Sequence, residues 1–145
     1  MDMNQSTLSR KAEDYLEGIL ISVNEKGYAR PRDVVKRMEV SYPSATEMLR
    51  KLAEQKLITY EKYGEIKLTS EGLSIASKIK NRHDVFENFL KIILIKNEIA
   101  EKDACVLEHH LHPETIRQFS KFVSFIKESR KRPEFLIEFE KYCKK

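Results

Sequence analysis

Two cysteines in 145 residues are too few for a disulfide framework. Cys105 and Cys143 are therefore expected as reduced thiols, which fits a cytoplasmic protein. Long apolar runs are missing too. The longest, IILI at 92–95, is far below the ~20 residues a bilayer-spanning helix needs, so no membrane partner is expected. No secretory-type apolar region opens the sequence. There is no glycine-rich phosphate loop and no Ser/His/Asp nucleophile pattern, and this argues against an enzyme. Internal repeats and low-complexity linkers are also absent.

What is present is charge and helical periodicity. Charged residues make up 34% and hydrophobic ones 41%, a composition of soluble helical proteins with many exposed faces. The net charge of +4 is modest, but its distribution is uneven. Residues 26–80 hold 12 Lys/Arg against 7 Asp/Glu, whereas residues 1–25 hold two against five. A basic excess that is largest in one segment is the electrostatic footprint of a nucleic-acid reader.

The expected fold class is mostly α, with an N-terminal winged helix-turn-helix (1–72) followed by an all-helical dimerisation domain (73–145). A first helix is predicted over 6–24, capped by Ser6 or Thr7 and closed by Gly27 in a left-handed conformation. Pro31 opens a short second helix and Pro43 a third, running to about Gln55. Residues 58–69 alternate, are rich in β-branched and aromatic side chains, and carry Gly64 near the middle, the pattern of a β-hairpin. A long helix follows from about Thr69 to Lys96, then helices over about 98–111, 113–130 and 133–143. The second half is apolar on more faces than one small domain can bury, so a homodimer is expected. Cys143 reads as a small packing residue.

In a helix-turn-helix the second helix of the motif enters the major groove. Ser41, Tyr42, Pro43, Ser44, Ala45, Thr46, Glu47 and Arg50 would face it, and Arg50, Lys51, Lys36 and Arg37 would neutralise phosphates. Pro43 and Ala45 suit thymine methyls, Ser41, Ser44 and Thr46 suit phosphates or base edges, and Glu47 either accepts from a cytosine amino group or faces away. At the wing tip, Lys62 is the best candidate for a DNA contact.

Three clusters carry metal-ligand chemistry. Asp14 and Glu17 lie at i, i+3 on the first helix. His83 and Glu87 lie at i, i+4 on the long helix. Glu101, Cys105, Glu108 and His109 share one face of the next. Each alone is most simply a solvated carboxylate pair or a hydrogen-bonded core histidine. Together, behind a DNA reader, they suggest a sensor whose DNA affinity depends on bound metal. Three other readings stand beside it. A metal-independent winged-helix regulator and a protein-binding adaptor would each leave these side chains without a metal. A zinc enzyme is the third, but Cys-x-x-Glu-His lacks the first His of the peptidase motif.

The stretches EDYLEGI (13–19), EKGYARPRDVV (25–35), SYPSAT (41–46), YEKYGEIKLTSEG (60–72), RHDVFENFL (82–90) and CVLEHHL (105–111) occur in the order and spacing of one family. From about Ala12 to Leu111 the chain resembles the metal-dependent repressors related to the diphtheria toxin repressor and the manganese transport regulator. The resemblance implies that Asp14, Glu17 and His83 hold metal as in the manganese branch. It implies that Glu108 and His109 are ligands used across the family. Cys105 stands where the manganese branch tends to have Glu and the iron branch has Cys. His83 and Glu87 match an ancillary site of the iron branch, with Glu101 where that branch has His. The mixture of hard Asp14 and soft Cys105 suits Fe(II) or Mn(II), one or two per subunit, with Co(II), Ni(II) or Zn(II) substituting in vitro. The partner implied is a palindromic double-stranded operator, bound by a homodimer that controls iron or manganese homeostasis. The iron branch often carries an extra small barrel domain, and this chain looks like the shorter, two-domain form.

Overall fold

The computed structural model describes residues 8–61 and 64–145. The element order is α1 (Arg10–Lys26), α2 (Pro31–Met38), α3 (Tyr42–Glu54), β1 (Ile58–Tyr60), β2 (Ile66–Leu68), α4 (Ser70–Ile92), α5 (Asn97–His110), α6 (Pro113–Glu128) and α7 (Glu134–Cys143). The chain divides into two compact units between Lys80 and Asn81. Among the described residues no helix is long and apolar enough to cross a membrane.

Local chemistry sets the element boundaries of the first unit. The Ser9 hydroxyl accepts the Ala12 N–H at 3.1 Å, so α1 starts later than the sequence suggested. The expected caps, Ser6 and Thr7, lie outside the described residues. Gly27 closes α1 at φ 84°, a left-handed conformation that glycine adopts without steric cost. Pro31 opens α2, and the Asp33 carboxylate accepts the Arg30 N–H at 2.9 Å while pairing with the Lys26 ammonium. Burial opposes ionisation of Asp33, but those two partners outweigh it and hold its carboxyl below the ordinary value. The Ser41 hydroxyl caps α3 by accepting the Ser44 N–H.

β1 and β2 pair antiparallel, with Ile58 opposite Leu68 and Tyr60 opposite Ile66, and Ala29 bridges to Ile66. The core of this unit gathers Tyr15, Leu16 and Ile19 from α1, Val34 from α2, Leu49 and Leu52 from α3, Ile58 and Ile66 from the hairpin, and Ala76 from α4. Each buried Leu or Ile there contributes about 1.5–3 kcal/mol. Thr69 caps α4 by accepting the Gly72 N–H at 3.1 Å. Gly72 is sterically required, because a Cβ there would lie 1.8 Å from the Leu57 carbonyl oxygen.

The second unit is helical. Phe86, Ala100, Ala104, Val123 and Leu136 are its buried apolar residues. An aromatic chain links α4, α6 and α7: Phe89 meets Phe119 edge-on at 4.6 Å, and Phe122 approaches Phe135 at 6.4 Å. Many apolar side chains stay exposed, including Leu94, Ile99, Val106, Phe125, Ile137 and Tyr142. Cys143 is exposed, not the packing residue expected. Only Leu136 of α7 is buried, so the end of that helix has no core to join.

Candidate metal centre and nucleic-acid interface

Inside the second unit, α4 and α5 bring His83 together with Cys105, Glu108 and His109. The last three leave one face of α5 at i, i+3 and i+4. His83 Nδ1 lies 3.5 Å from Cys105 Sγ and 3.3 Å from Glu108 Oε2. His109 Nε2 lies 2.9 Å from Glu108 Oε1. Glu108 is 2% exposed, yet neither of its oxygens receives a well-aligned hydrogen bond. The imidazole nitrogens of His83 and His109 lie beside them, at 3.3 and 2.9 Å. Buried carboxylate oxygens without hydrogen bonds are expensive unless a cation compensates them.

The electrostatics agree. Burial works against ionisation of Glu108, but the imidazoles of His109 and His83 outweigh it and hold its carboxyl below the ordinary range. The Cys105 sulfur and the Glu108 carboxylate push His83 up to about 11, against its own burial. His83 must shed a proton before Nδ1 has a lone pair to donate. His83, with Cys105 beside it, lies on the Oε2 side of Glu108 and His109 on the Oε1 side, and imidazole, thiol and carboxylate are donor types that suit a divalent transition metal.

The other expected ligands differ in placement. Glu87 Oε2 lies 3.2 Å from His83 Nε2, and its other oxygen is held by the Lys91 ammonium. Lys91, more than burial or His83, sets the lowered value of the Glu87 carboxyl. The sequence reading missed Lys91, although its i, i+4 spacing from Glu87 was visible. Glu101 is exposed, one turn before Cys105 on α5. Asp14 and Glu17 belong to α1 in the first unit, where Asp14 is half-buried and Glu17 buried.

On the DNA-reading side, Lys36, Arg37, Ser41, Pro43, Thr46, Glu47, Arg50 and Lys51 are exposed and Ser44 is half-buried. Ala45 is fully buried and leaves the groove-facing set. It sits four and seven residues before Leu49 and Leu52, so it shares their inward face. Arg37 pairs with Glu25 at 2.7 Å and Lys51 with Glu47 at 3.3 Å. Tyr42, also among the expected groove-facing residues, is 55% exposed at the start of α3. A groove of about 540 Å³ runs beside this helix, lined by Pro31, Tyr42, Pro43, Thr46, Glu47, Arg50 and Tyr60. The wing candidate Lys62 lies outside the described residues.

Residues 7–66 match the family described as "Iron dependent repressor, N-terminal DNA binding domain". Residues 69–134 match "Iron dependent repressor, metal binding and dimerisation domain". The HTH-type transcriptional regulator MntR of Geobacillus kaustophilus is 36% identical over 129 residues, covering 89% of this chain and 92% of that protein. The crystal structure of T. acidophilum IdeR superposes with a TM-score of 0.70 at 26% identity, over 77% of this chain and 53% of that one. The manganese regulator SloR gives 0.67 at 27% identity, over 79% of this chain and 54% of that one. The chain thus spans about half the length of these two structures.

Proposed function

Because the chain belongs to the iron-dependent repressor family, we propose that it is a transcriptional repressor whose operator binding is switched by divalent iron or manganese. One observation carries the switch: Glu108 is buried with both oxygens lacking a hydrogen bond, between two imidazoles and a thiol. Cys105, Glu108, His109 and His83 are the ligands proposed from the second unit. Asp14 and Glu17, from α1, are proposed to complete the set. A bound dication supplies the positive charge that lets these carboxylates and the Cys105 thiolate share one place.

The chain's own residues then set the consequence. Asp14 and Glu17 are part of the helix that packs beneath α3, so engaging them restrains the pose of the DNA-reading unit. Exposed apolar side chains on the second unit, together with its match to a dimerisation domain, support a homodimer. In a two-fold dimer the paired α3 helices must reach successive major grooves, about 34 Å apart. A palindromic operator is the partner that this symmetry fits. The soft Cys105 and hard Asp14 favour Fe(II) or Mn(II) in a reducing environment.

Anaerobic operator-binding titrations with Fe(II) and with Mn(II), each against chelator, test the proposal. Either metal should restore binding that the chelator removes. Glu108→Ala and His109→Ala should lose the metal response while keeping the helical circular dichroism. Equal operator binding with and without chelator defeats the proposal.

A further inference from the structure

His83 has two ring nitrogens, and the fold gives them different neighbours. Nδ1 faces Cys105 Sγ and Glu108 Oε2 at 3.5 and 3.3 Å. Nε2 faces Glu87 Oε2 at 3.2 Å, and the other Glu87 oxygen is held by the Lys91 ammonium. His83, Glu87 and Lys91 are spaced i, i+4, i+8 on α4, so one rigid helix face carries all three. Side-chain exposure grades outward along them, 10%, 23% and 38%.

We propose that Glu87, anchored by Lys91, is a positioning residue for His83 and not a metal ligand. The inference rests on the metal-switch reading above. Glu87 accepts the Nε2–H, which keeps the proton on that nitrogen and leaves the Nδ1 lone pair for the cation. Lys91 places a fixed positive charge where a second cation would have to approach Glu87. The pair therefore closes, with the chain's own ammonium, the ancillary site that His83, Glu87 and Glu101 would otherwise form. Glu101 is exposed at the surface, which leaves that site poorly enclosed as well.

The test uses the full chain with Co(II) or Zn(II) alone, comparing the unaltered protein with Glu87→Ala, Glu87→Gln and Lys91→Met. The unaltered protein, Glu87→Ala and Glu87→Gln should bind the same number of metal equivalents. Glu87→Ala should weaken Co(II) affinity about 10–100-fold, the usual cost of losing such an outer partner. Glu87→Gln should stay within a few-fold of the unaltered protein, because its amide oxygen still accepts the Nε2–H. In the Zn(II)-loaded protein, ¹⁵N signals of His83 should report a single Nε2–H form that becomes mixed in Glu87→Ala and is restored in Glu87→Gln. Loss of a whole metal equivalent in both Glu87 variants makes Glu87 a ligand and overturns the proposal. Unchanged affinity and unchanged His83 signals in Glu87→Ala overturn it as well. Should Glu87→Ala fail to fold, Lys91→Met decides, with a several-fold weakening expected and no change overturning the role. An unaltered chain that takes up no Co(II) defeats the metal reading itself, whereas uptake with indifferent variants defeats only the positioning role.

Discussion

Single atoms decide much of this molecule. The Gly72 Cα–H faces the Leu57 carbonyl so closely that no side chain fits between them. Gly72→Ala must push α4 away from the loop before β1, an overpacking cost of about 1–3 kcal/mol. A lower urea midpoint at unchanged m-value is the expected result. Nothing in the sequence singles out Gly72 from the other three glycines, since its role comes from a backbone distant in sequence. Cys143 teaches the converse. Its residue type suggested packing, but exposure at the end of α7 is set by where neighbouring elements stop.

At the scale of elements, caps and periodicity explain the boundaries. Asp33 joins the end of α1 to the start of α2 through Lys26 and the Arg30 N–H. Its folded carboxyl titrates below the unfolded value, so its stabilisation is complete above the unfolded pKa, about 3.9. That contribution fades as pH falls toward the folded value. Asp33→Ala should cost about 1 kcal/mol at neutral pH, and the gap from the parent should shrink in acid. Thermal unfolding at pH 7 and pH 3 measures both. For α3, the alternation of inward and outward positions is legible, but read from the sequence Ala45 falls on the groove side. Its register with Leu49 and Leu52 puts it in the core. Small size at a helix start is compatible with groove contact and with core packing, and only burial separates the two.

For the whole molecule, the proposal is a thermodynamic coupling between two ligands. If metal raises operator affinity by some factor, operator DNA must raise metal affinity by the same factor. Metal titrations of the protein alone and of its operator complex check this equality. The DNA interface itself should behave electrostatically. Lys36→Ala, at an exposed position on α2, should weaken operator and non-specific DNA alike and reduce the log–log salt slope by about 0.9. A loss confined to one operator sequence would mean that Lys36 reads a base.

Read alone, the amino-acid order determined the order and type of every element, because helical and alternating periodicities, four prolines and a few capping residues are local signals. It also placed Cys105, Glu108 and His109 on one face, since the i, i+3, i+4 relation needs only a helix. Tertiary structure decided what depends on distance through space. It brought His83 of α4 to Cys105 and Glu108 of α5, withheld hydrogen bonds from the Glu108 oxygens, and gave Glu87 to Lys91 and His83. Burial and the direction of a ring nitrogen arise from side chains far apart in the chain, and no local pattern encodes them.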